Sequence, residues 1–139
     1  MKKILQILTI ALVTLTVACK KDSADPSSNS NNPVTPGTYI ITLFTDNSDG
    51  NITSQYAAYT FQFNSDNTIT ASNGVANTTG AWSQRNAHEN EAAKLDISFN
   101  DGPLEKLDKG WEVISITSTT ISLRDDDTSS NEALTFQKQ

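Results

Sequence analysis

This chain of 139 residues holds one cysteine, Cys19, and one histidine, His88. A single cysteine cannot close an internal disulfide, so no covalent staple is expected in the fold. Structural zinc sites gather several His or Cys ligands. A metal site would therefore have to be built from His88, Glu89 and Glu91 alone, and a solvated loop histidine is the plainer expectation. Ser-His-Asp or Cys-His catalysis would likewise rest wholly on His88. Neither a nucleophile elbow nor a glycine-rich phosphate loop occurs. The expectation is a protein with no catalytic residues, no metal and no cofactor, hence not an enzyme. Basic residues are scarce too, ten against sixteen acidic ones. Nucleic-acid binding depends on cationic neutralisation of phosphates, so it is disfavoured. Beyond residue 17 there is no long apolar run, and no extended stretch has apolar residues at helical spacing.

What is present begins at the N-terminus. Met1-Lys2-Lys3 is followed by a mostly apolar stretch from Ile4 to Val17. Fourteen residues are too few for a transmembrane helix, which needs ~20. A charged start, a short apolar core and a small-residue end make a secretory signal over residues 1–18. Its end, Leu15-Thr16-Val17-Ala18-Cys19, resembles the lipobox of bacterial lipoproteins, with Thr16 standing where that family usually has Leu. The resemblance implies cleavage after Ala18 and attachment of acyl chains, palmitate among them, at Cys19. Several acyl chains make anchoring stable, since each buried methylene contributes ~0.8 kcal/mol. Lys20-Lys21-Asp22 resembles the start of Bacteroidota lipoproteins sent to the outer membrane, on its periplasmic or its surface face.

Two of the ten basic residues and none of the acidic ones fall in the leader, which leaves eight against sixteen, a formal balance of −8. Residues 19–36 form the lipidated cysteine and a linker dominated by Ser, Asn and Pro, too polar to offset ordering entropy. All ten aromatic residues lie between Tyr39 and Phe136, so the folded unit is residues 37–139, one domain with one core and expected to be a monomer.

Strand signals fill that unit. Tyr39 to Thr45 is β-branched and aromatic. Tyr59-Thr60-Phe61-Gln62-Phe63 alternates cleanly, and Asn64 to Asn67 turns it into a return strand over Thr68 to Ala71. Gly80 to Ser83 follows, with Trp82 as an inward anchor. Leu95, Ile97 and Phe99 alternate in the next strand. Leu104 to Leu107 reads as a short strand or a single helical turn. Trp111 to Ile116 and Thr120 to Arg124 pair across Thr117-Ser118-Thr119, and Ala133 to Phe136 closes the chain. About eight short strands joined by short turns suggest an all-β antiparallel meander, closing into a small barrel or folding into a sandwich.

In order, Gly37-Thr38-Tyr39, the Tyr59–Thr68 hairpin, Gly80-Ala81-Trp82, Trp111-Glu112-Val113 with Thr120 to Leu123, and Leu134-Thr135-Phe136 resemble the lipocalin-like domains of Bacteroidota lipoproteins. The resemblance implies a lipocalin-like barrel over residues 37–139, with a small apolar ligand as its partner. Tyr39, Tyr59, Phe61, Phe63, Trp82, Phe99 and Trp111 are then the ligand-cavity candidates. Read from the residues alone, the same aromatics fill a core, since barrels of about eight strands are packed by side chains or hold one small ligand. Two functions stay open: a membrane-anchored module for an apolar ligand, or a solid-cored envelope protein whose loops bind a partner protein or glycan. Asp46 to Asn51 and Asp125-Asp126-Asp127 carry oxygens a calcium ion accepts, but lack the ligand spacing of an EF-hand loop, so they read as turns.

Overall fold

The computed structural model describes residues 30–100, 102–127 and 129–139. The proposed signal peptide, Cys19 and the first part of the linker lie outside these residues. The chain forms β1 (Gly37–Asp46), β2 (Gly50–Asn51), β3 (Thr60–Phe63), β4 (Thr68–Ser72), β5 (Asn77–Arg85), β6 (Lys94–Ser98), β7 (Lys109–Ile116), β8 (Thr120–Asp125) and β9 (Ala133–Lys138). Two 3₁₀ turns, Thr53–Tyr56 and Gly102–Leu107, are the only helical segments among the described residues. Leu104 to Leu107 is therefore a helical turn, the second of the two shapes its sequence allows.

Every neighbouring pair from β3 to β9 is antiparallel, and β1 pairs with both β3 and β9. Eight strands thus close into an up-and-down barrel, with β2 as a short appendage on β1. Closure removes the exposed edges an open meander would leave, except along Asn77 to Gly80 of β5, which pairs with β4 but not with β6. The inward positions are those the alternation marks. Phe61 and Phe63 on β3, Ile69 and Ala71 on β4, Leu95 and Ile97 on β6, Leu134 and Phe136 on β9 are all buried. Two register shifts, between Ile41 and Leu43 and between Val113 and Ser115, break the alternation. A bulge inserts one residue and re-aims its neighbours, which is why Leu43 and Ile114 face outward at 37% and 42% exposure.

Both ends are closed. At the end where β1 starts, Asn31 to Pro36 lies across the barrel rather than trailing away from it. Val34 is 4% exposed within the core cluster. The Gln84 side-chain amide donates to the Asn32 carbonyl (2.7 Å) and accepts from the Val34 N–H (2.9 Å). The Asn32 amide donates to the Ile116 carbonyl (2.8 Å), and Asn31 Oδ1 accepts from the Ala87 N–H (2.8 Å). The linker read as residues 19–36 is corrected here. Its last six residues are part of the folded unit, because one apolar side chain among polar ones suffices when the barrel supplies its seat. At the other end, Ile52 just before the first 3₁₀ turn, Tyr56 within it, and Leu104 and Leu107 from the second cover the core.

Candidate functional site

Six of the seven aromatic residues singled out as cavity candidates join one chain of ring contacts, linked through Phe136, Tyr56 and Phe44, while Phe99 packs beside Gly80. Phe63 meets Tyr39, Trp82 and Phe136 edge-on, with centroids 5.4, 5.6 and 5.4 Å away. Phe136 meets Phe61 at 5.4 Å, Phe61 stacks on Tyr59 at 6.1 Å, and Tyr59 meets Tyr56 at 6.1 Å. Tyr56 leads to Phe44 at 5.2 Å, and Phe44 to Trp111 at 5.9 Å. These are the offset and T-shaped distances that aromatic quadrupoles prefer. A side chain lining a chamber wide enough for a water molecule would show surface to it. Tyr39, Phe61, Phe63 and Trp111 show none, and Phe99 almost none. The cavity reading of these five is therefore corrected: they are core. Tyr59 and Trp82 are half-buried at its margin.

The polar tips of the rings are satisfied within the fold. Tyr39 Oη donates to the Thr35 carbonyl (2.7 Å), Trp82 Nε1 to the Asn64 carbonyl (3.1 Å) and Trp111 Nε1 to the Leu107 carbonyl (3.1 Å). Burial pushes the Tyr39 and Tyr56 hydroxyls above their ordinary values. No charged or polar side chain is buried in the core among the described residues.

The two acidic loops are turns held by lysines. Asp46 Oδ1 accepts from the N–H groups of Ser48 and Asp49 (2.9 and 3.0 Å), and Lys106 reaches Asp46 at 2.7 Å and Asp49 at 2.9 Å. The Lys106 bond leads the effects that hold the Asp46 carboxyl below the usual range. Lys109 sits between Asp125 (2.9 Å) and Glu132, with its ammonium 4.9 Å from the Trp111 ring centroid. Burial opposes ionisation of Asp125, yet the Asp127 N–H and Lys109 outweigh it and hold the carboxyl at about 2. The oxygens that suit calcium are thus already engaged by ammonium and amide groups. His88 and Glu91 exchange backbone hydrogen bonds (3.1 and 2.8 Å) in an exposed turn. No three His, Cys, Asp or Glu side chains are grouped to hold a metal among the described residues.

What the outside of the barrel offers is a set of shallow clefts. One of about 370 Å³ is lined by Arg85, Asn86, Glu91, Ala92 and Lys94. A second, about 320 Å³, is lined by Phe99, Asn100, Gly102, Glu105 and Asp108. A third, about 140 Å³, lies on the outer wall over Ala81, Trp82, Ser83, Asp96 and Ser98, so of the candidate rings Trp82 borders it. Arg85 is paired with Asp96, Lys94 with Asp126, and Arg124 with Glu112. Lys138 donates to the Pro36 carbonyl (3.0 Å) over the Tyr39 ring. Every described cation is thus occupied, while Glu89, Glu91, Glu105 and Asp108 enter no ion pair among the described residues. Among the described residues no acidic side chain is buried, so their acidic surplus lies at the surface. Sequence reasoning missed this because each cation looks free until the fold brings its carboxylate across from another strand.

The fold defines this chain as a closed, eight-stranded antiparallel barrel with a filled interior. No protein-family model matches it, and no curated protein matches it in sequence. Among solved structures it is similar to a DUF4847 family protein from Bacteroides vulgatus, at 14% identity and a TM-score of 0.49, over 75% of this chain and 93% of that one.

Proposed function

We propose that this protein is an exported lipoprotein of the cell envelope, anchored at Cys19 in the outer membrane, that recognises a partner protein or glycan through its loops and outer wall. The role is binding, not catalysis. One observation carries the choice between interior and exterior: Tyr39, Phe61, Phe63 and Trp111 present no surface inside the barrel. A small apolar ligand there would have to displace packed rings, at a cost of the kind that overpacking brings. The lipobox-like run ending in Ala18-Cys19 supports the anchor.

Native mass spectrometry of protein extracted from its own cells tests the first half; the mass of the acylated chain with nothing added is expected. A stoichiometric apolar ligand in the solvent extract overturns the solid-core reading. Fractionation tests the second half. Cys19→Ala should move the protein out of the membrane fraction, and retention there would refute the anchor.

A further inference from the structure

β5 divides its pairing. Asn77 to Ala81 pairs with β4, Ala81 to Arg85 pairs with β6, and the two registers overlap only at Ala81. The Trp82 N–H donates to the Asn67 carbonyl (2.9 Å). In an antiparallel ladder, hydrogen-bonded pairs alternate with non-bonded ones. Opposite β4, Trp82, Gly80 and Thr78 are therefore the bonded residues. Asn77 and Thr79 turn their N–H and C=O groups the other way, toward the side on which the β6 pairing has ended at Ser98. Among the described residues no strand pairs with them on that side.

Proteins guard such an edge with lysine, proline or a bulge. Asn77-Thr78-Thr79-Gly80 has none of these, and Asn77 and Thr79 are exposed. Next to it, Val75 stands 94% exposed at the β4–β5 turn. Asn73 Oδ1 holds it there by accepting from the Val75 and Ala76 N–H groups (3.0 and 2.9 Å). Phe99, the residue after β6, packs against Gly80 at the end of this edge, where a Cβ would be 2.8 Å from its ring. Phe99 also lines the cleft that carries Glu105 and Asp108, two exposed carboxylates outside every ion pair described.

We propose that this edge is a docking site for an extended, basic polypeptide segment of a partner protein. The segment adds as a strand to Asn77 and Thr79, main chain to main chain, as in other strand-addition complexes. An apolar side chain covers Val75, and a lysine or arginine reaches toward Glu105 and Asp108. This rests on the surface-recognition reading above and adds the place and the class of ligand.

The test uses the full chain, labelled with ¹⁵N, and an acetylated octapeptide of alternating valine and lysine. Saturable amide shifts are expected over Val75 to Gly80, with slowed exchange at Asn77 and Thr79. The same peptide with glutamate for lysine should bind at least tenfold more weakly. A version N-methylated at alternate residues, which lacks the donors a strand needs, should not bind. Thr79→Pro removes an N–H that faces away from β4, so it should preserve the thermal transition and weaken binding tenfold or more. The N-methylated peptide keeps the test decisive if that variant does not fold. Absence of shifts, shifts centred elsewhere, or equal binding of the N-methylated peptide overturns the proposal. A partner captured through another face by crosslinking would survive that result, so the two readings fail separately.

Discussion

β9 and β5 sit on opposite sides of the same barrel and are built differently. β9 is paired along its whole length on both sides, from Ala133 to Lys138 against β1 and from Ala133 to Gln137 against β8. It buries Leu134 and Phe136 completely. β5 is longer, yet it buries no residue fully, and its strand pairing is divided between β4 up to Ala81 and β6 from Ala81 on, with the Trp82 N–H also reaching the Asn67 carbonyl. Its inward positions are Thr78, Gly80, Trp82 and Gln84, where other strands carry Ile, Leu or Phe. The lesson is that closure of a barrel does not make its wall uniform. One side is held by ring packing and continuous ladders, and the other by a tryptophan, a glycine contact and a side-chain amide.

The sharpest way to break this comparison is truncation. Phe136 lies between the Phe61 and Phe63 rings, so Phe136→Ala should cost ~3–5 kcal/mol in urea unfolding. Trp82 is half-buried, and Trp82→Ala should cost about half of that. Equal losses would erase the distinction. Gly80 sharpens it from the other direction. A Cβ there would meet the Ser98 carbonyl oxygen at 2.1 Å, and that atom is backbone. Gly80→Val should cost ~1–3 kcal/mol or more as an overpacked site, read from the shift in urea midpoint. Val34→Ala removes two buried methyl-sized groups and should cost ~1.6 kcal/mol, which a polar spacer residue would not.

Smaller effects follow from charge and local opening. Asp125 is held at about 2 against an ordinary 3.8. A depressed carboxyl contributes stability that is present above its unfolded value and lost as pH falls through the folded one. Unfolding free energy should thus drop between pH ~4 and ~2, and Asp125→Asn should flatten that drop. In hydrogen exchange, amides of β9 should follow global unfolding while those of Asn77 and Thr79 exchange early.

The barrel was legible because period-2 alternation is a direct imprint of one buried face. Phe61 and Phe63, Leu95 and Ile97, and Ile121 and Leu123 each announce their strand. Three things were not legible. Val34 sits alone among Ser, Asn and Pro, so local composition hides that it docks; its seat is made by residues 50 and more positions away. Ile52 and Tyr56 cap the barrel from just before and within a 3₁₀ turn too short to leave a periodic signal. Leu43 and Ile114 are strand residues that look inward by composition and face outward through bulges, which depend on partner strands. For the candidate site, the seven rings named from the sequence leave out Phe44, Tyr56 and Phe136, which link the ring chain, and their use was not legible. Whether rings enclose a space or fill it depends on distances between strands, and no spacing along one chain encodes that.

The strap of Asn31 to Pro36 has a mechanical consequence. A pull on the chain from its N-terminal side meets these residues before it meets β1. Their holds are separate hydrogen bonds, between the Asn31 and Asn32 side chains and the backbone of Ala87 and Ile116 and from the Gln84, Tyr39 and Lys138 side chains to the strap's carbonyls, which yield one after another rather than together. The load is therefore spent on peeling the strap, and Gly37 onward stays in register until Val34 has left its seat.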